Sequence, residues 1–263
     1  MPTDATPLLA DRYRIERELG HGGMGSVYLA WDTATEEYVA LKRLAPAFAA
    51  NPAALARFER EAAILRGLEH PFIVRLLDFR GEPDAFLVME LVAGGSFHDW
   101  IASRGPVPAS LALAGIHQVG EALVAAHAAG VVHRDVKPAN ILIGRDGACR
   151  LGDFGVARAA ALPALTRMGT GLGTVGFMAP EQSTSAREVD ARADVYSLGV
   201  TLFALLEGRI EVDLARDLAA SRLPDLLLRI VFRATSADPA RRHPTMARLL
   251  AAIAETEVLF ARG

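Results

Sequence analysis

The run His133-Arg134-Asp135-Val136-Lys137-Pro138-Ala139-Asn140, followed shortly by Asp153-Phe154-Gly155, constrains this chain more than any other stretch. It assigns two carboxylates, a lysine and an amide to two neighbouring loops. Phosphoryl transfer from a metal-bound nucleotide needs those groups. The donor phosphates are anionic, so metal ligands and a cation must gather around them. The acceptor hydroxyl is neutral, and something must orient it and take its proton. Polar loop residues satisfied by local hydrogen bonds would explain each member singly. Six fixed residues in one stretch, at roughly 1 in 20 each, recur by chance about once in tens of millions of starts.

At 263 residues the chain can bury a large core, as one domain or as two lobes. A net charge of −3 argues against a nucleic-acid binder that relies on a basic face. Cys149 is the sole cysteine, which rules out an internal disulfide framework and fits a reducing compartment. No apolar run reaches the roughly 18 residues of a membrane span. The N-terminus lacks a charged region followed by an apolar stretch, so no secretory signal is visible, and Pro2 removes a myristoylation signal. The expectation is a cytoplasmic protein, or the cytosolic domain of a longer membrane-anchored one. Neither membrane contact nor a nucleic-acid partner is expected within this chain.

Residues 1–12 read as a flexible leader. Alternation at Tyr13, Ile15, Arg17 and Leu19 predicts a first strand, and Val27 to Trp31 a second, beyond the glycine-rich turn. Tyr38 to Leu44 reads as a third strand, with Tyr38, Ala40 and Lys42 on one face. A helix over 53–68 and strands over 73–80 and 85–91 complete a small first lobe. Gly94-Gly95 then breaks the pattern and helical periodicity takes over, with a long buried helix at about 109–129. Short strands at 141–143 and 150–151 flank the turn signal Asp146-Gly147. Residues 156–180 lack periodicity, as a mobile surface loop would. Helical patterns return at 193–207 and 224–256.

Gly20, Gly22 and Gly25 spell G-x-G-x-x-G. Glycine lets backbone approach phosphates and adopt angles closed to other residues. In isolation a plain hairpin turn is the better reading of the motif. A dinucleotide-binding fold would follow the glycines with a helix, whereas here a strand follows, and Lys42 comes after it. Ala54, Phe58, Glu61, Leu65 and Leu68 fall on one helical stripe. A carboxylate within an apolar stripe is unfavourable unless it meets a cation, and Lys42 is the natural partner. Glu61 at the stripe's margin, facing water, is the alternative. The apolar run 86–92 ahead of Gly94 suits a flat base, though an ordinary buried strand looks the same. Asp153 beside glycine could be a turn former; paired with Asn140 it offers oxygen ligands suited to Mg²⁺. The remaining histidines show no metal-ligand spacing and read as surface or core residues.

Together these residues resemble the protein kinase superfamily, specifically the bacterial eukaryotic-like Ser/Thr protein kinases, over about residues 13–250. The resemblance implies an α+β, two-lobed protein-kinase-like fold. Its small lobe would be a five-stranded antiparallel sheet with one regulatory helix, and its larger lobe mainly helical. It divides the chain into an ATP-binding lobe at 13–92 and a catalytic and substrate lobe at 93–263, one kinase domain spanning 13–256. Implied ATP contacts are Leu19, Gly20, Gly22, Gly23, Gly25, Val27, Ala40, Lys42, Met89, Glu90 and Val92, with Met89 as gatekeeper. Lys42 would hold the α- and β-phosphates and pair with Glu61. Asp135 is similar to the catalytic base, Lys137 would lie next to the transferred phosphate, and Asn140 and Asp153 would hold magnesium.

The same resemblance places Thr174 at a substrate-positioning loop that ends in Met178-Ala179-Pro180-Glu181. It pairs Glu181 with Arg242 and uses Asp194 to brace the catalytic loop. Arg134 resembles the arginine that binds a loop phosphothreonine, with Thr166 or Thr170 as the autophosphorylated residue and Thr166 preferred. Partners would be proteins bearing Ser or Thr, with self-association for autophosphorylation. Two departures from the family pattern stand out: residues 208–224 are short, and the customary Pro-Phe after Gly208-Arg209 is absent. They keep open an alternative, a pseudokinase that serves as a binding scaffold. A small-molecule phosphotransferase is disfavoured by residues 173–181.

Overall fold

The computed structural model describes residues 8–22, 25–81, 84–154, 176–184 and 189–260. The chain divides into two compact units, residues 1–69 with 74–92 and residues 70–73 with 93–263.

The first unit is built on strands β1 (Tyr13–Gly22), β2 (Gly25–Asp32), β3 (Glu37–Leu44), β4 (Leu76–Arg80) and β5 (Phe86–Glu90). They form one antiparallel sheet in the order β1-β2-β3-β5-β4. Register decides which side chains share a face, because directly opposed residues point the same way. Lys42 lies opposite Val27 on one side and Leu87 on the other, and Ala40 lies opposite Leu29 and Met89. The alternate positions Val39 and Leu41 point to the other face, where they bury with Tyr13, Ala30, Phe86 and Val88. A short helix α1 (Pro46–Ala49) leads into α2 (Pro52–Gly67). Asn51 caps α2 by accepting from the N–H groups of Ala53 and Ala54, with Pro52 at the first helical position. The stripe read from the sequence is buried along its length, with Ala54, Phe58, Glu61, Leu65 and Leu68 all under a tenth exposed. Phe58 packs with Leu44, Leu55, Ala62, Ala85 and Leu87.

Residues 8–12 depart from the flexible leader expected over 1–12. Leu9 bridges to Tyr13 and packs on the core cluster around it. Arg12 forks onto Asp32 through two bonds of 2.7 Å. That guanidinium holds the Asp32 carboxyl down at about 2, against the opposing effect of its burial.

The second unit begins with α3 (Phe97–Arg104), which no periodicity had suggested. A capping box holds its start: Ser96 Oγ accepts from Asp99 N–H, and the Asp99 carboxylate accepts from Ser96 N–H. Helix α4 (Ala109–Ala128) follows. The sequence had suggested no run apolar enough to cross a membrane, yet α4 is long and apolar enough by length and composition. Half of its most apolar window is buried, and it packs on α6 (Arg192–Glu207) and α9 (Met246–Phe260), as a core helix does. A 3-10 turn (Pro138–Asn140) leads to β6 (Ile141–Ile143), which pairs with β7 (Cys149–Leu151). Ile73 makes a parallel bridge to Leu151, and Leu151 N–H donates to Phe72 O. Those contacts bind residues 70–73 to the second unit and shorten the strand expected over 73–80 to β4.

Helix α5 (Glu181–Thr184) precedes α6, which is buried from Ala193 to Leu205 and ends at Gly208 with φ +67°. Helix α7 (Leu214–Ala220) occupies the shortened region. The single helical stretch expected over 224–256 is two helices, α8 (Asp225–Ala234) and α9, split by a 3-10 turn (Pro239–Arg241). Pro239 and Pro244 enforce the break, because neither can donate a helical hydrogen bond.

Candidate active site

The first unit contributes a cation and a carboxylate. Lys42 Nζ lies 3.0 Å from Glu61 Oε1, and Glu61 is 2% exposed. Burial makes the pairing obligatory for the carboxylate, because an unpaired charge there would be strongly destabilising. Val27, Ala40 and Met89 share the Lys42 face of the sheet and offer apolar surface. Glu90 N–H donates to Arg75 O at 3.0 Å, and Glu90 Oε1 accepts from Arg75 N–H at 2.9 Å. A backbone contact from Glu90 to a ligand would therefore use its carbonyl. Val92 is half-buried at the end of this unit, and Leu19 on β1 is exposed.

Gly20 and Gly22 lie on β1, and Gly25 opens β2. A Cβ on Gly25, whose φ is +156°, would collide with the Arg43 carbonyl oxygen. No other residue fits that position without moving β3. Gly23 lies outside the described residues.

The second unit contributes the loop before β6. Asn140 donates Nδ2 to the Asp135 carbonyl at 2.7 Å and to Asp135 Oδ2 at 3.0 Å. Lys137 Nζ lies 2.9 Å from the same Oδ2. One carboxylate oxygen thus receives both an amide and an ammonium, which fixes the Asp135 rotamer. With its nitrogen committed, Asn140 can present only Oδ1 to a cation. Asp153 follows on the next loop at φ +56° and is exposed. Gly152 N–H donates to Asn140 O at 2.9 Å and ties the two loops together. Asn140 and Asp153 fit magnesium, a hard ion that takes few protein oxygens and fills its shell from water and phosphate. Among the described residues, no group of three or more His, Cys, Asp and Glu could hold a metal by itself.

His133 shows how this loop is held. Burial pushes its pKa down, so the ring is neutral. Nε2 faces the Gly152 carbonyl at 3.1 Å and must donate, while Nδ1 accepts from Asp135 N–H at 3.2 Å. One tautomer satisfies both bonds. The ring also packs on buried Phe154, with centroids 4.5 Å apart. Arg134 adopts φ +67°, and the strain is pinned from both sides. Its N–H donates to Asp194 Oδ1 at 2.8 Å, and its carbonyl accepts from Gln182 Nε2 at 2.9 Å. Asp194 also accepts from His133 N–H at 2.9 Å, and its Oδ2 lies 2.7 Å from His127 Nε2. A carboxylate only accepts, so His127 is the donor.

Asp194 therefore braces the catalytic loop, as the resemblance implies. The roles of His127 and Gln182 were not legible in the sequence, where His127 read as a plain core or surface residue. Glu181 and Arg242 meet in a fork with bonds of 2.6 and 2.7 Å, and the Arg242 side chain is fully buried. Its remaining N–H groups reach the carbonyls of Arg192, Ser236 and Ala237. Thr166, Thr170 and Thr174 lie outside the described residues. Burial pushes the Cys149 thiol up to about 11, which leaves it protonated and unsuited to nucleophilic work.

Comparison with known proteins agrees with this geometry. The family model for the protein kinase domain matches residues 13–250. Serine/threonine-protein kinase PknA of Corynebacterium glutamicum is 39% identical over 208 residues, covering 77% of this chain and 44% of that protein. PknL of Mycobacterium tuberculosis is 37% identical over 269 residues, covering 94% of this chain and 67% of that protein. The crystal structure of the Mycobacterium tuberculosis PknI kinase domain matches with a TM-score of 0.76 at 31% identity, over 97% of this chain and 99% of that one. This chain spans less than half the length of PknA, and a quarter of the length of the Myxococcus xanthus kinase Pkn2, to which it is 41% identical over 213 residues. A domain match across nearly the whole sequence, together with these relatives, establishes that the chain belongs to the protein kinase family.

Proposed function

We propose that this chain transfers the γ-phosphate of Mg-ATP to Ser and Thr hydroxyls of proteins, in the cytoplasm or as the cytosolic part of a longer protein. One observation carries the reading: the Lys42–Glu61 ion pair and the Asp135–Lys137–Asn140 cluster are both intact. A pseudokinase scaffold has no need to keep all of these charges paired.

In this reading the first unit holds the nucleotide. Val27, Ala40 and Met89 flank the base, and the carbonyl of Glu90 and the backbone of Val92 receive its edge. Leu19, Gly20, Gly22, Gly23 and Gly25 lie along the phosphates, and Lys42 neutralises the α- and β-phosphates while Glu61 aims it. The second unit performs the transfer. Asp135 orients the acceptor hydroxyl and takes its proton as the hydroxyl oxygen bonds to the γ-phosphorus and the bond to the leaving β-phosphate oxygen breaks. Lys137 stabilises charge on the moving phosphoryl group. Asn140 and Asp153 would hold magnesium, which when bound supplies charge neutralisation to the phosphate oxygens. Arg134 would receive a phosphothreonine formed on Thr166 or Thr170 by autophosphorylation between copies of the chain, ordering the segment that carries Thr174.

Radiolabelled ATP, the protein alone and a generic protein substrate provide the test. Asp135→Asn and Lys42→Met are each expected to lower turnover by roughly a hundredfold to a thousandfold. The thermal midpoint should stay near that of the parent in Asp135→Asn and fall in Lys42→Met, which takes the ion-pair partner from buried Glu61, with the fold retained by circular dichroism. Near-normal turnover in either variant would remove the role given to that residue. Intact-mass and peptide analysis after ATP treatment is expected to place phosphate on Thr166 or Thr170, and its absence from both would refute autophosphorylation there.

A further inference from the structure

Helix α8 turns Leu227, Ile230, Val231 and Ala234 into the core of the second unit, where it packs on α6 and α9. Its opposite face is unusual. Phe232 is 73% exposed, the most exposed large hydrophobic side chain among the described residues, and Leu226 is 38% exposed. At 3.6 residues per turn, Leu226, Arg233, Arg229, Asp225 and Phe232 fall within an arc of about 120°. Arg229 and Arg233 lie between the two apolar side chains, and Arg222 stands just before the helix.

All three arginines are exposed, and none has a carboxylate within ion-pair distance among the described residues. Some surface guanidiniums are neutralised, Arg12 by Asp32, Arg43 by Asp84, Arg150 by Asp146 and Arg192 by Asp190. Others, such as Arg60, Arg145 and Arg248, are exposed without an ion pair among the described residues. The α8 face differs in gathering its arginines beside an exposed aromatic side chain. Asp225 shares the arc and forms no ion pair among the described residues, so three cations stand against one carboxylate there. An aromatic anchor bordered by guanidiniums is the composition of a binding hot spot. Guanidiniums fork onto carboxylates, and covering Phe232 would remove apolar surface from water. An anionic bilayer fits less well. Three cations fall short of the roughly four to eight clustered Lys and Arg residues that mark a segment recruited to anionic lipid.

We propose that this face of α8 is a docking site for an acidic protein segment carrying an aromatic or branched apolar anchor, and that such segments belong to the protein substrates. The binding part stands independently; the assignment to substrates rests on the kinase reading.

Fluorescein-labelled peptides with Glu and Asp around one Phe or Leu would be titrated against the protein without nucleotide, beside controls with Lys for each acid. The acidic peptides are expected to bind, and to weaken as salt rises. Phe232→Ala should weaken them about tenfold or more, and Arg229→Glu with Arg233→Glu further, with thermal midpoints unchanged. No binding, equal binding of the basic controls, indifference to these variants, or adsorption to phosphatidylserine vesicles in place of peptide would each overturn the site. In a second arm the acidic segment is fused to a Ser-containing substrate. KM should fall at unchanged kcat, and Phe232→Ala should abolish the gain; a KM indifferent to the segment would overturn the substrate assignment. If no substrate is phosphorylated at all, the kinase reading fails and takes the substrate assignment with it, while the peptide titration still decides the docking site.

Discussion

Ala10 and Asp11 hold φ angles of +53° and +57°, a region that side chains with a Cβ enter reluctantly. The turn they form is closed by Arg12 N–H to Leu9 O at 3.2 Å and by Leu9 N–H to Tyr13 O at 2.9 Å. Nothing in the spacing of these residues announced that turn, because its energy comes from Leu9 packing and the Arg12–Asp32 fork. Ala10→Gly should therefore stabilise the protein by up to about 1 kcal/mol, relief of the strained φ exceeding the added freedom of the unfolded chain. A melting curve checks this, and a lowered midpoint would show that the turn carries no strain. Arg134 and Asp153 adopt the same left-handed region at the candidate site, at +67° and +56°. The sequence named both residues, yet their backbone angles depend on the bonds from Asp194, Gln182 and Asn140 that pin the loops.

Strands and the first long helix were readable because their signals are local. Alternation places Val39 and Leu41 on one face of β3 and Ala40 and Lys42 on the other, and the register keeps that division. The 54–68 stripe was legible for the same reason, down to the buried Glu61. Helix α3 was missed although Ser96 and Asp99 spell its capping box, because eight residues show too little periodicity to stand out. The break between α8 and α9 was signalled by Pro239 and Pro244 and overridden by the apolar pattern on either side. Within the glycine-rich hairpin, Gly25 is the position that tolerates no side chain. Gly25→Ala should push β2 off β3 and raise the KM for ATP by roughly tenfold to a hundredfold, with a folded protein by circular dichroism. An unchanged KM would separate this backbone approach from nucleotide binding.

Each unit has its own core, and the second is tied together by polar groups far apart in the chain. Arg242 is the largest fully buried side chain among the described residues, and its fork onto Glu181 spans 61 positions of sequence. Removing it takes two charge-assisted bonds from a largely buried carboxylate and one bond from each of three backbone carbonyls. Arg242→Ala is expected to lower stability by about 3 to 5 kcal/mol, measured by urea unfolding. Arg242→Lys should recover little of that, because an ammonium cannot reproduce the fork. A loss below about 1 kcal/mol would mean that the pair is replaceable by water. The same unit carries the exposed Phe232 face, which no periodicity could flag, since an apolar residue on a helix reads as core until its surroundings are known.

What the amino-acid order determined by itself was chemistry and local form: which carboxylates, amide and lysines are present, how they are spaced, and which strands and helix they ride on. These depend on neighbours a few positions away, and periodicities of 2 and 3.6 report them directly. Only the tertiary structure decided that residues 70–73 join the second unit and that His127 and Gln182 join Asp194 in holding the loop of residues 133–140. It alone left Arg222, Arg229 and Arg233, near Phe232, without an ion pair among the described residues. Those outcomes join groups separated by tens of residues, and chain packing, which no short window of sequence contains, brings them together.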